Sequence, residues 1–382
     1  MRLQDLTTPA ALIDIKRMQR NVQRMQQRMN QLGVSFRPHV KTTKCIELVR
    51  EQITAGAKGI TVSTLKEAEQ FFAAGINDIL YAVGMVAPKL KQAAALINKG
   101  CHLKIIADSV DSANAIIEFS NQNKIPFEVW IEIDTDGHRS GVKPESDDLL
   151  TIGRILHQGM VTLGGVMTHA GSSYDLNTPE ALQSMAEQER SLCVLAATRL
   201  RTAGLPCKNV SVGSTPTALS AKNLQGVTEV RAGVYVFFDL VMANVGVCTP
   251  DDIALSVLTT VIGHQKEKGW AIVDAGWMAM SRDRGTQKQK HDYGYGQVCS
   301  VDGVLLDDCQ LSSANQEHGI ISTTGLESKE DISTRLPIGT QLRILPNHAC
   351  ATGAQFPEYH TVVTSNGGMP EVGPTWQRFY GW

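Results

Sequence analysis

Over the first two thirds of the chain, short apolar runs alternate with longer stretches in which apolar residues return every three or four positions. The runs fall at 35–40, 59–63, 78–83, 102–107, 127–133, 163–169, 209–213 and 228–231, each with the length and content of a strand. The stretches between them have helical spacing. In 64–74, Leu65, Ala68, Phe71 and Phe72 share one face, and Gly75 supplies a C-terminal stop. Asp14 is placed to cap the first long helix, whose Met18, Val22, Met25 and Met29 form a core stripe. Strand, helix, strand in strict succession predicts parallel strands covered on both faces. Eight such units close a (β/α)8 TIM barrel, where functional groups gather beyond the C-terminal ends of the strands. Lys41, Arg139, His169 and Ser214 all stand at or just past such ends.

Past Cys248 the pattern changes. Runs at 253–263, 270–274, 295–301, 310–321, 341–345 and 361–364 read as strands separated by turns, with no good helix among them. The expectation is an α/β chain of two domains: a barrel over 1–248 and a mainly antiparallel β-domain over 249–382. The first dozen residues are free to pack with the second domain.

Composition narrows the partners more than the fold. With 382 residues, 42% of them hydrophobic and 19% charged, the chain can bury a large core. Its 36 basic and 38 acidic residues give a net charge of -2, so no broad field points to nucleic acid or an anionic membrane. A small molecule is the expected ligand. The eight cysteines form no CxxC pair, the N-terminus has no long apolar segment after its early arginine, and no stretch is long enough to span a bilayer. These features predict a cytoplasmic protein with reduced thiols.

Lys41 ends the run Arg37-Pro38-His39-Val40-Lys41, where a strand would deliver it to a cleft. A lysine removed from water loses hydration, and its neutral amine can attack an aldehyde to make a Schiff base. Pyridoxal phosphate is the aldehyde that suits such a site. Gly213-Ser214-Thr215-Pro216-Thr217 and Arg231-Ala232-Gly233-Val234-Tyr235 follow the last two barrel strands, where backbone N–H groups and hydroxyls can face a phosphate. Arg139, in Asp136-Gly137-His138-Arg139-Ser140-Gly141, can hold an anionic oxygen by a charge-assisted hydrogen bond. In Pro346-Asn347-His348-Ala349-Cys350, an imidazole and a thiolate two positions apart on an extended strand end would point to one side, so both could reach one divalent cation. Two further ligands for a closed structural site are not evident, which predicts an open one.

The segments PHVKTTK, DTDGHRSG, THAGSSY, VGSTPT, EVRAGVYVF, NQEHG and PNHAC together resemble the D-threonine aldolase and D-serine dehydratase family. This is the metal-dependent branch of the alanine-racemase-like (fold type III) pyridoxal phosphate enzymes. The resemblance covers essentially the whole chain. It implies that Lys41 carries the cofactor, that His39, Arg139, His169, Tyr174, Gly213, Thr215, Gly233 and Val234 surround it, and that His348 and Cys350 bind one divalent metal ion, zinc, manganese or similar. It places Gln316 and His318 toward the substrate. A substrate with a second carboxylate would need another cation, which Arg282 or Arg284 in Met280-Ser281-Arg282-Asp283-Arg284 could provide. The implied activity is dehydration of a D-3-hydroxy amino acid by a homodimer, 3-hydroxyaspartate giving oxaloacetate and ammonia. Retro-aldol cleavage to glycine and an aldehyde, or dehydration of D-serine, are the alternatives. Met167 stands where several relatives have a tyrosine, which leaves the partner of the pyridine nitrogen open.

Overall fold

Each of the eight apolar runs forms a strand in the computed structural model, which describes residues 2–323, 331–364 and 370–382. After β1 (Ala10–Asp14) come β2 (Ser35–Pro38), β3 (Ile60–Val62), β4 (Asp78–Gly84), β5 (His102–Ala107), β6 (Glu128–Ile133), β7 (Thr162–Thr168), β8 (Asn209–Val212) and β9 (Glu229–Ala232), with helices between successive strands. Strands β2 to β9 make one parallel sheet in the order β2-β9-β8-β7-β6-β5-β4-β3. A parallel bridge between His39 and Thr61, with Val40 N–H donating to Thr61 O at 2.9 Å, joins β2 to β3 and closes the ring. Leu80, Ile106, Trp130 and Met167 pack together as an apolar cluster of this sheet. Met167 is thus a core residue.

Local chemistry follows the sequence. Thr64 accepts the Glu67 N–H at 3.0 Å to start the helix Leu65–Ala73, and Gly75 past its end has φ +90°. Asp14 accepts the Arg17 N–H at 2.9 Å, and Met18, Val22, Met25 and Met29 are buried.

The chain divides into two compact units, residues 23–233 with 381–382, and residues 1–22 with 234–380. The division falls at Gly233/Val234, ahead of the boundary expected after Cys248, because the segment that follows bonds within the second unit. Ala254 N–H donates to Phe237 O at 2.7 Å and Val241 N–H to Asn347 O at 3.1 Å.

The second unit contains β1 together with β10 (Leu255–Gln265), β11 (Trp270–Val273), β12 (Gly296–Ser300), β13 (Leu305–Ala314), β14 (Gly319–Thr323), β15 (Gln341–Pro346), β16 (Glu358–Thr364) and β17 (Pro370–Gln377). Their order is β11-β14-β13-β12-β15-β10-β1-β16-β17, and β11 also pairs with β10, so six strands form a closed ring. All pairings are antiparallel except β1 with β16. Three expectations are corrected. The run 310–321 is two strands of a hairpin, β17 lies outside the expected runs, and short helices occur at Trp277–Met280, Ile332–Arg335 and Ala349–Gly353.

Candidate active site

In the barrel unit the candidate residues cluster past the C-terminal strand ends. Lys41 lies in the turn after β2 with its side chain exposed. The desolvation expected for it is therefore not supplied by protein atoms, because the turn carries it to the rim. His39 is held well below the usual imidazole range by burial first, then by the charges of Lys41, Arg231, His169 and Arg139. Its Nδ1 is buried without a hydrogen-bond partner among the described residues, while Nε2 lies 3.4 Å from Ser63 Oγ. His169, directly after β7, is pushed down to about 4 by burial and by Lys41, Arg231 and Arg139, against a 3.2 Å hydrogen bond from Nδ1 to Gly213 O. Three cations thus bear on two neutral imidazoles.

The loops that present these groups are tied to one another. Asp134 accepts the N–H groups of Asp136 and Gly137 at 3.2 and 2.6 Å, shaping the turn that carries Arg139. Arg139 is exposed and reaches Glu132 at 3.7 Å. Gly141, at φ +115°, lies so close to Asp134 that a Cβ would sit 2.5 Å from its nitrogen. Asp136 accepts the Ser172 N–H at 2.8 Å, and the Tyr174 ring in the same short turn lies 6.1 Å from that of His169. Ser214 caps the helix Thr215–Ser220 and bonds to Ser173 at 2.8 Å, so its hydroxyl is engaged, and Thr215 is buried. Gly213, at φ +129°, and Gly233 let strands approach closely. A Cβ at Gly233 would lie 2.9 Å from His39 O and 3.1 Å from Thr42 Oγ1. Val234 is buried and opens the other unit.

A second cluster lies in the β-unit. β15 ends at Pro346, His348 is extended (φ -134°, ψ 107°), and Cys350 lies in the first turn of the helix Ala349–Gly353. The pair is therefore brought together across a strand-to-helix junction, not by the two-residue repeat of a strand as expected. His348 Nδ1 is 2.6 Å from Asp283 Oδ2. Burial opposes its charge, but Cys350, Asp283 and Asp239 outweigh that and push its pKa up to about 11. Buried Asp239 accepts the N–H groups of Ala349 and Met242, each at 2.9 Å. Among the described residues, no three or more His, Cys, Asp and Glu side chains are grouped to hold a metal ion.

Gln316 and His318 are exposed in the turn between β13 and β14. The carbonyls of Asn315 and Gln316 accept N–H groups from Trp277 and Met278 at 2.9 and 3.1 Å. Arg282 stacks on Trp277, its guanidinium carbon 4.4 Å from the ring centroid. Arg284 is committed to both oxygens of Asp292, at 2.9 and 3.2 Å.

Three residues that hold the clusters escaped sequence reasoning. Arg231, fully buried, bonds to Ser211 Oγ at 2.8 Å and to Thr168 O. Glu189 is buried and accepts the N–H groups of Ala170 and Gly213 at 2.9 and 3.1 Å. It shares the buried face of its helix with Leu182, Ala186 and Cys193, and a carboxylate on such a stripe was a usable signal. Asp283 had none, since nothing in its spacing points to His348.

Known proteins share this architecture along its full length. The family model for the alanine racemase N-terminal domain matches residues 13–241, and a serine dehydratase domain model matches 254–362. The chain is 64% identical to a D-threo-3-hydroxyaspartate dehydratase of Delftia sp. (strain HT23), covering 99% of this chain and 98% of that protein. It is 30% identical to a D-serine dehydratase of Dictyostelium discoideum, covering 95% of each. Two solved structures of D-threo-3-hydroxyaspartate dehydratase variants, one with a cysteine replaced by alanine in the metal-free form and one with a histidine replaced by alanine, each match with TM-score 0.97 at 63% identity. They cover all of this chain and 100% and 97% of theirs. The chain therefore belongs to the alanine racemase N-terminal domain family, in the branch that carries a serine dehydratase domain behind the barrel.

Proposed function

We propose that the chain is a pyridoxal phosphate- and divalent-metal-dependent lyase that dehydrates D-3-hydroxy amino acids, converting D-threo-3-hydroxyaspartate to oxaloacetate and ammonia. One observation carries this reading over aldol cleavage: the 64% identity, along 99% of the chain, with a D-threo-3-hydroxyaspartate dehydratase.

The residues present suit both groups. The barrel end offers a lysine, two arginines acting on the same imidazoles, a buried His39 Nδ1 without a partner among the described residues, and glycines that leave backbone open at β8 and β9. In the β-unit, an imidazole and a thiolate form a donor pair of zinc-like softness, and the nearby carboxylates of Asp283 and Asp239 add negative charge that a cation could neutralise. The replaced cysteine and histidine of the two solved variants stand two positions apart, the spacing of His348 and Cys350. When bound, pyridoxal phosphate supplies an electron sink and the metal a Lewis acid for the departing hydroxyl.

The roles divide accordingly. Lys41 is the covalent anchor of the cofactor, and its free amine is the base that takes the α-proton. Arg139, His169 and Tyr174 orient the cofactor ring, and Gly213, Thr215, Gly233 and Val234 form its phosphate cradle. His348 and Cys350 hold the metal, zinc or manganese. Arg282, lying on Trp277 and not committed to a carboxylate of the described residues as Arg284 is, reads the second carboxylate of the substrate, with Gln316 and His318 nearby on the adjoining turn. The eight free cysteines agree with a reducing cytoplasm, where the protein would act as a homodimer, and no described helix is long and apolar enough to cross a membrane.

The test is direct. Purified protein with added metal is given D-threo-3-hydroxyaspartate, D-serine and D-threonine, and ammonia, 2-oxo acid and glycine are measured separately. Equal ammonia and oxo acid are expected, with borohydride fixing the cofactor at Lys41. Arg282→Ala should reduce the preference for hydroxyaspartate over D-serine by about 10-fold or more, the worth of a charge-assisted hydrogen bond. Glycine without oxo acid would overturn the dehydratase reading.

A further inference from the structure

The imidazole of His348 is not held by its own segment alone. Its Nδ1 lies 2.6 Å from Asp283 Oδ2. A carboxylate oxygen can only accept, so Nδ1 keeps a proton whatever the charge of the ring, and Nε2 is the nitrogen whose proton a metal ion would displace to gain a lone pair. The two nitrogens point away from each other across the ring. Asp283 therefore occupies the side of the imidazole that a metal does not use.

Both halves of this contact are anchored by further hydrogen bonds. Asp283 N–H donates to Ser281 Oγ at 3.2 Å, and its carboxylate also accepts a backbone N–H from Gly285. On the histidine side, Asn347 bonds to Gly294 O at 2.7 Å and to Thr286 Oγ1 at 3.2 Å, while Ala349 N–H is held by Asp239 at 2.9 Å. Asn347 also reaches the Asp283 carbonyl, at 3.4 Å, which links the two segments directly. A ring locked by a carboxylate behind it is a better metal ligand, in orientation and in basicity.

We propose that Asp283 is a positioning residue that fixes the tautomer and orientation of His348, so that Nε2 faces the divalent ion shared with Cys350. This rests on the reading of His348 and Cys350 as metal ligands.

The experiment measures affinity of the full-length, cofactor-loaded protein for Zn2+ and Co2+ in competition with a chromogenic chelator. Wild type, Asp283→Ala, Asp283→Asn and His348→Ala are compared. Asp283→Ala is expected to weaken binding by about 10- to 100-fold. Asp283→Asn, which keeps an acceptor but loses the charge, should weaken it less and remains informative where the alanine variant fails to fold. At saturating Co2+, both should retain the thiolate-to-cobalt absorption that Cys350 produces, which a general loss of structure would remove. His348→Ala should lose tight binding. Affinities of both Asp283 variants equal to wild type would overturn the positioning role, and so would a loss as complete as that of His348→Ala, which would make Asp283 a ligand. Wild type that binds neither ion, or His348→Ala that binds as well as wild type, would remove the metal reading itself and this inference with it.

Discussion

His169 donates its Nδ1 proton to Gly213 O, and burial together with Lys41, Arg231 and Arg139 holds its pKa near 4. The unfolded chain returns it to the ordinary value of 6.5. Between those limits the unfolded state binds more protons, so stability is lost as pH falls from 6.5 toward about 4. His169→Asn can keep the bond to Gly213 without titrating. In cofactor-free protein, it should therefore lose less stability than wild type between neutral pH and that lower limit, by roughly 2 kcal/mol after allowance for partial exposure. Urea midpoints measured across the range check this, and parallel profiles would refute it. At this scale the sequence was legible where a chemical group follows a strand, as Lys41, Arg139 and His169 do. It was not legible where a role depends on partners far along the chain. Arg231 meets Thr168 across 63 positions, and Asp283 meets His348 across 65.

The helix Pro179–Thr202 shows how an element imposes order on the loops around it. Through one oxygen, Glu189 receives the backbone N–H of Ala170 after β7 and of Gly213 after β8, so a single carboxylate fixes two of the loops carrying the candidate site. Burial raises its pKa, against those bonds and the charge of Arg231. Glu189→Ala would leave two buried donors unsatisfied and should destabilise by about 2–5 kcal/mol, whereas Glu189→Gln, which keeps an acceptor, should lose much less. Chemical denaturation of both variants separates these outcomes, and equal losses would contradict the hydrogen-bonding role. Barrel elements were readable because strand and helix periods alternate cleanly. The β-unit was less so, for physical reasons. The turn Asn315-Gln316-Glu317-His318 has no Gly or Pro to separate β13 from β14, so one long run was expected. β17 carries Pro370, Gly373 and Pro374, residues that argue against a strand unless it lies at a sheet edge, and β17 is the last strand of its sheet.

At the scale of the whole barrel, a chain of charged and polar groups crosses strands that are distant in sequence. Lys104 pairs with Asp78, Asp78 with Arg37 at 2.8 Å, and Arg37 with Glu229 at 2.9 Å. Ser211 donates to Glu229 at 2.8 Å and accepts from Arg231, also at 2.8 Å, so the chain ends at the guanidinium that bears on His39 and His169. Arg37 sits in β2, the strand that closes the ring. Burial works against its charge, yet Glu229 and Asp78 outweigh that and raise its pKa above the usual arginine value. Glu229 is the carboxylate that stands on this path between the two buried arginines. Removing it uncovers a desolvated cation, and the hydrophobic gain of the smaller side chain cannot offset that. Glu229→Ala should therefore destabilise the protein by about 3–5 kcal/mol. The exposed Arg2–Asp5 pair should contribute almost nothing when Asp5 is replaced. Because the buried pair is shielded from counterions, the Glu229→Ala deficit should persist at high salt. Denaturation curves in low and high salt measure both effects, and a deficit that disappears at high salt would mean that water and ions reach Arg37 and that the network is not buried as described.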